Sequence, residues 1–225
     1  MHDLRPYRTI LSLPLFQGLG HDDLEEVVAH TKFAFTKHSA SSIIIKEGDL
    51  CTHMRFILNG TVETETLSDD HGYRIIETIA PPEIIEPERI FGLRQRYSRS
   101  FMAKTNCNMM SIDKIEIMNL ADRYPIFRIN LLNIYSTKAQ KAQQELWRSS
   151  PSTLRQHIIR FLERHCERPA GEKIFFIKMN RLAEELNDSR RDISGELNKM
   201  QKDGLIILKR GRIIIPQMEQ VIRNS

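Results

Sequence analysis

The sequence predicts an α+β fold in three successive stretches: a domain of short strands, one long helix, and a small helical domain closed by a hairpin. Three observations carry this. Between about residues 32 and 112, β-branched runs alternate with turn signals at the spacing of a sandwich or barrel. From Tyr124 to about Trp147, apolar residues recur at helical intervals. From Leu182 to Leu197, two short amphipathic helices meet at a tight turn.

In chain order, residues 1–30 suggest short helices, with a turn-rich apolar segment at Leu13–Leu19 and a helix from Asp22-Asp23 through Val28. Strands follow: Ile43-Ile44-Ile45 before Glu47-Gly48-Asp49, then Phe56-Ile57-Leu58 running into Asn59-Gly60, a strong hairpin signal. Thr61 to Thr66 alternates at period two, and Asp70-His71-Gly72 marks a turn before Tyr73 to Ile79. Asp69-Asp70-His71 is an acid–His cluster, but beside Gly72 it reads as a polar hairpin tip. Residues 113–121 read as a short helix. The long helix then carries Phe127, Leu131, Ile134, Tyr135, Lys138, Ala142 and Leu146 along a mostly apolar stripe, with Pro125 at a tolerated early position. Such a helix can pack on its own β domain or form a dimer seam, since its length leaves more than one face to bury. Arg148-Ser149-Ser150-Pro151-Ser152 looks like a hinge; a helix with Leu154, Ile158, Phe161 and Leu162 and a strand at Ile174–Ile177 follow.

The next segment is the most informative. Leu182, Ala183 and Leu186 share one face of a first helix, and Asn187 falls where the chain must turn through positive φ, which Asn tolerates well. Ser189 caps a second helix, with Asp192 completing a Ser-x-x-Asp box. Ile193, Leu197 and Met200 form its buried stripe, while Arg190, Ser194 and Asn198 share another line, with Arg191 nearby. A helix-turn-helix presents such a face to the DNA major groove. Leu205 to Pro216 then reads as a hairpin, a wing whose turn carries Lys209, Arg210 and Arg212.

Charge agrees with this division. Of 225 residues, the first 147 hold 17 Lys+Arg against 19 Asp+Glu, a net of −2; the remainder hold 16 against 10, a net of +6. The basic excess lies where phosphate contact requires it. No run approaches the ~20 apolar residues of a membrane helix, and Met1 to Pro6 lacks the apolar core of a secretory signal. Cys51, Cys107 and Cys166 are odd in number and scattered, which fits reduced thiols in a cytoplasm. They also argue against an iron–sulfur cluster. His30, His38, His53 or His157 could ligate haem, although an isolated His is more often surface or core. Cys51 with His53, or His165 with Cys166, supplies only two ligands, too few to close a zinc site. No cofactor is therefore expected. With no Gly-rich phosphate loop, Gly-x-Ser-x-Gly or His-Glu-x-x-His, nothing points to an enzyme.

In this order, the β domain, long helix, hinge and winged helix resemble the Crp/Fnr superfamily of bacterial transcription regulators. Leu182 to Met200 is close to the family's L-A-x-x-L-G-x-S-R-x-x-V-S-R-x-L-x-x-L. Gly48-Asp49 with Phe56 to Val62 looks like the first hairpin of its cyclic-nucleotide-type, jelly-roll-like β-roll, and Leu15 to Leu19 is similar to its opening. The resemblance implies a β-roll sensor over 1–122, a dimerisation helix over 123–148 and a DNA-binding domain over 149–225. It further implies a homodimer on a near-palindromic operator, with double-stranded DNA and RNA polymerase as partners. Ser189, Arg190, Arg191, Ser194, Asn198, Lys209, Arg210 and Arg212 are the expected DNA contacts.

Two departures stand out. Arg191, Asp192 and Gly195 replace the Glu, Thr and second Arg of the usual recognition helix, so different bases should be read. In the ligand pocket, Glu86 and Pro87 stand where nucleotide-binding members carry Gly-Glu, and Tyr97 precedes Ser98 where they carry Arg. Proline offers no N–H and carboxylates repel a phosphate, so cyclic AMP is not the expected effector. Glu86, Arg89, Arg96, Tyr97, Ser98 and Arg99 remain candidates for a pocket holding an unknown small molecule, or form a solvated, salt-bridged surface. From another class, the alternative is a β-roll module that binds a small molecule or partner and leaves DNA alone.

Overall fold

The computed structural model describes residues 9–224. Residues 1–8, on which part of the expected helical start and the leader argument fall, lie outside the described residues. The chain forms two compact units: one from the chain up to Val62 with Ala80–Arg148, the other from Glu63–Ile79 with the chain from Ser149 onward. No helix among the described residues is long and apolar enough to cross a membrane.

In the first unit, strands β1 (Phe33–His38), β8 (Cys107–Asp113), β3 (His53–Asn59) and β6 (Glu83–Ile85) form an antiparallel sheet in that order. Strands β2 (Ile43–Ile45) and β7 (Ser100–Ala103), which lie outside that sheet, pair antiparallel with each other. Met54 and Phe56 of β3 are buried at period two, as a half-buried strand requires. The Asn59-Gly60 signal does not close the expected hairpin. A type I′ turn needs positive φ at both central residues, and here only Gly60, at +80°, has it. Strand β3 pairs with β6 and β8, while β4 (Val62–Leu67) lies beside β5 (Arg74–Ile79). Gly60 is needed for another reason: a Cβ there would collide with the Asn106 carbonyl and with Cys107.

Helix α1 (His21–His30) opens on Asp22 and Asp23, favourable at the positive end of the helix dipole, and buries Leu24 and Val27. Helix α2 (Lys114–Arg123) is capped by Asp113, whose Oδ1 accepts from the Ile115 N–H at 2.7 Å. Helix α3 (Pro125–Leu146) starts on its proline, where a missing N–H costs nothing. Its Phe127 and Leu131 are buried, and Phe127 meets Phe16 edge-on at 5.3 Å. Tyr135 donates to the Pro87 carbonyl at 3.0 Å and Lys138 to Glu88 at 2.7 Å. The first half of the predicted stripe thus faces the helix's own unit. A second apolar strip, Ile126, Ile129 and Leu132, points outward at 41%, 52% and 57% exposure.

In the second unit the strand order is β10-β11-β9-β5-β4, with β9 (Lys173–Phe176), β10 (Ile207–Lys209) and β11 (Arg212–Ile215). Helices α4 (Leu154–Arg164), α5 (Met179–Leu186), α6 (Arg190–Lys202) and α7 (Met218–Arg223) complete it. Sequence patterning runs the β4–β5 hairpin on with the strands around it, yet β5 pairs antiparallel with β9. Tyr73 and Ile75 enter one core with Ile158, Phe161, Phe175, Ile193, Leu197 and Met200. The Tyr73 hydroxyl meets His165 Nε2 at 2.8 Å. At the hairpin tip, Asp70 pairs with Arg181 of α5 at 2.7 Å.

Directly across the β5–β9 ladder, Glu77 faces Lys173. Their side chains are 1% and 0% exposed, and the ammonium lies 3.0 Å from Glu77 Oε1, an ion contact rather than an aligned hydrogen bond. Glu77 also accepts from the Glu167 N–H at 3.0 and 3.1 Å. Removing one member of a buried pair strands the other charge. Lys173→Met should therefore destabilise the protein by about 3–5 kcal/mol. The double variant Glu77→Leu/Lys173→Met should recover part of that loss, as measured by urea unfolding.

Candidate nucleic-acid interface

Helix α5 ends where Asn187 takes φ +50°, its N–H reaching back to the Ala183 and Glu184 carbonyls. The chain reverses and α6 begins at Ser189, whose Oγ accepts from the Asp192 N–H at 3.1 Å. The return arm differs from a capping box. The Ser189 hydroxyl donates to Asp192 Oδ2 at 2.6 Å, while the Ser189 N–H goes to Asp188 at 2.7 Å. Ser189 is thus committed to the cap, and Asp192 to Ser189. Ile193, Leu197 and Met200 are fully buried. Arg155 of α4 holds the far end of α6 through Asp203, at 2.9 Å.

With that stripe inward, Arg190, Arg191, Gly195 and Asn198 are exposed and Ser194 is half-buried. Asn198 donates one amide hydrogen to the Ser194 carbonyl at 2.8 Å, leaving its oxygen outward-facing chemistry to offer. Arg190 and Arg191 form no ion pair among the described residues. Gly195 is unusual: a Cβ there would meet nothing within 4 Å, so packing within the chain does not require glycine.

The wing places Lys209 directly opposite Arg212 across the β10–β11 ladder, joined through Arg210-Gly211. Like charges directly opposite are destabilising. Among the described residues Lys209, Arg210 and Arg212 have no acidic partner; Arg212 instead lies over the Phe176 ring at 5.6 Å. An anion placed between these cations would relieve their repulsion.

In the first unit the six candidate pocket residues fall in two overlapping groups that share Ser98. Arg89, Arg96, Tyr97 and Ser98 line an open cleft of about 540 Å³ with Leu50, Leu93, Arg94 and Gln95. Within it, Arg96 is turned to the Gly48 carbonyl at 2.7 Å, and the Tyr97 hydroxyl donates to the His53 carbonyl at 3.2 Å. Burial holds the Tyr97 phenol well above its ordinary pKa. Glu86, Ser98 and Arg99 form the second group. The Glu86 carboxylate accepts from the Ser98 N–H at 2.8 Å and from the Ser98 hydroxyl, and lies 3.2 Å from Arg99 Nε. Sequence reasoning placed these residues near one another but missed that the carboxylate takes the donors itself. It also missed Arg181, since its link to Asp70 joins a strand tip and a helix about half the chain apart.

A family model described as the cyclic nucleotide-binding domain matches residues 35–124, and one described as the Crp-like helix-turn-helix domain matches 156–223. The chain belongs to the Crp/Fnr superfamily. Among solved structures, the Thermus thermophilus catabolite activator protein is 18% identical over 93% of this chain and 97% of its own, with a TM-score of 0.52. CLP of Xanthomonas campestris, a c-di-GMP-responsive global regulator, is 15% identical over 88% and 99%, at 0.51. The N-terminal domain of a Streptomyces coelicolor transcriptional regulator is 18% identical over 64% and 99%, at 0.50. These likenesses concern the fold. No curated protein matches the chain.

A Crp/Fnr cyclic nucleotide-binding domain implies a cyclic phosphate as ligand. The residues here do not fit one in the seat formed by Ser98 and Arg99, because a buried carboxylate already fills it. On the DNA side, Gly195 sits in a helix interior with open space around it. Gly195→Ala should stabilise the chain by about 0.5–1 kcal/mol, since alanine loses less entropy on entering a helix. Thermal unfolding of the two proteins measures this.

Proposed function

We propose that the chain is a homodimeric, sequence-specific DNA-binding transcription regulator acting in the cytoplasm and controlled by something other than cyclic AMP. The observation that carries this is the set of unpaired cations on α6 and the wing: Arg190 and Arg191 at the start of the helix, Lys209, Arg210 and Arg212 on the hairpin. In this reading α6 enters the major groove. Its Arg190, Arg191, Ser194 and Asn198 face base edges and phosphates, Ser189 sets the helix start, and the wing holds the backbone. Residues 1–122 are the sensor, 123–148 the dimerisation helix and 149–225 the DNA-binding domain, with RNA polymerase the downstream partner. Arg89, Arg94 and Arg96 make the open cleft the favoured place for an anionic effector.

Arginine in place of glutamate at position 191 changes the chemistry of recognition. Glutamate accepts from cytosine, whereas arginine donates to guanine O6 and N7. The half-site read by this chain therefore differs at that step from that of relatives with glutamate. Replacing a base-reading arginine should cost about 1–3 kcal/mol and relax one position of the site. Replacing a phosphate-holding one should weaken all sequences alike and lower the salt slope by about one. Arg190→Ala and Arg191→Ala, tested on DNA selected from random sequence at several salt concentrations, separate these roles. Lys209, Arg210 and Arg212 should behave in the second way. Absence of any retained DNA over a wide salt range favours the module that leaves DNA alone.

The outward strip Ile126, Ile129 and Leu132 supports pairing of α3 with its mate, because exposed apolar residues at helical spacing gain by covering one another. A two-fold dimer then sets half-sites about 10 bp apart, centre to centre. Leu132→Asp buries a charge in such a seam. It should shift a dimer to monomers at micromolar concentration in analytical ultracentrifugation, leaving the far-ultraviolet circular dichroism unchanged.

A further inference from the structure

The seat built by Ser98 and Arg99 has the donors of an oxyanion site: one backbone N–H, one hydroxyl and one guanidinium. Its occupant is the chain's own carboxylate. The Glu86 side chain is 4% exposed and Arg99 16%, so the contact is shielded from water. The backbone of Glu86 is also unusual. At φ +38° it lies in the left-handed region, which disfavours a side chain such as glutamate and suits glycine. A glutamate persists in such a conformation where its surroundings hold it there, and the two Ser98 hydrogen bonds and the Arg99 ion contact on its carboxylate do so.

The strained residue also positions the next turn of the chain. Pro87–Arg89 forms a short 3₁₀ turn directly after Glu86, with the Arg89 N–H bonded to the Glu86 carbonyl at 3.0 Å. That turn meets α3 at two points, Tyr135 on the Pro87 carbonyl and Lys138 on Glu88. An anion seated beside Ser98 is thereby linked, through four consecutive residues, to the helix proposed as the dimer seam.

We propose that Glu86 is a built-in anionic ligand: its carboxylate takes the place of an external phosphate and keeps the 86–89 turn docked on α3 without one. A carboxylate and a phosphate oxygen draw on the same charge-assisted donors, so the two exclude each other from this seat. Any effector of this chain therefore acts elsewhere in the sensor. The inference rests on reading the first unit as the regulatory half, but its test reads anion binding alone and stands apart from DNA binding.

The test uses the full chain, with inorganic phosphate and cyclic AMP as probes in calorimetry and thermal-shift measurements. Wild type should show no saturable binding of either up to about 1 mM at this seat. Glu86→Gly vacates the seat and suits the backbone conformation. It should bind phosphate at least about tenfold more tightly than wild type and melt higher as phosphate is added at constant ionic strength. Glu86→Gln keeps the shape but not the charge, so it should melt below wild type without gaining phosphate affinity. Seat binding by wild type would overturn the proposal; placing it there requires its loss in Arg99→Gln. A folded Glu86→Gly with no gain would also overturn it. So would a Glu86→Gln protein that melts with wild type, the decisive comparison should the glycine variant fail to fold.

Discussion

A small winged helix has little apolar surface to bury, and the fraction buried on folding falls as a chain shortens. This constraint organises the second unit. The segment from Ser149 brings α4, α5 and α6 onto β9 and β11. Tyr73 and Ile75 of a distant hairpin complete the core they form. The β5–β9 ladder fixes where that hairpin lies, and the Glu77–Lys173 pair fixes its register. A one-residue slip of β5 would turn Glu77 to the opposite face of the sheet while Lys173 kept its own, and leave the two charges apart. A buried ion pair is a weak source of net stability but a strict one for alignment, since only one register satisfies both charges. The orientation of α6 follows from that core, because Ile193, Leu197 and Met200 are members of it.

The same economy applies to anions. Among the described residues, Arg190 and Arg191 of α6 and the three wing cations have no acidic partner, although Lys199 of α6 pairs with Glu196, while several charges of the first unit pair internally. Glu86 satisfies Arg99, Glu88 satisfies Lys138, and Glu26 meets both Arg123 and Tyr124. Positive charge without an acidic partner among the described residues thus lies where nucleic acid is expected, and also along the open cleft of the first unit at Arg89, Arg94 and Arg96. The contrast explains why net charge over the whole chain says so little. Its value depends on which cations have been neutralised from within.

How much of this was legible in the sequence depends on the range of each interaction. The helix-turn-helix was readable because its signals are local. Asn187 at the left-handed turn, Ser189 at the cap and the Ile193–Leu197–Met200 stripe each act within a few residues, and each is in place. The Asn59-Gly60 pair misled because two different constraints select glycine. A positive φ within a hairpin and a close approach to another backbone look alike in sequence, and here the second decides. The stripe on α3 showed a buried face but not which partner buries it. The occupied seat at Ser98 was not legible at all. Sequence placed Glu86 near Arg99 and counted repulsion with a ligand, whereas the fold turns that carboxylate into the occupant.

The β4–β5 hairpin also bears on how the protein can be taken apart. A fragment beginning at Ser149 contains every residue proposed to contact DNA and would be the natural choice for isolating the helix-turn-helix. It would lack β5, leaving the backbone donors and acceptors of β9 along an open sheet edge, with the core side of Phe175 uncovered where Tyr73 and Ile75 had packed. Bare edges of that kind recruit strands from other molecules. The part of the chain proposed to contact DNA is thus contiguous in sequence, but the unit in which it folds is not. Dissection at the hinge separates the two.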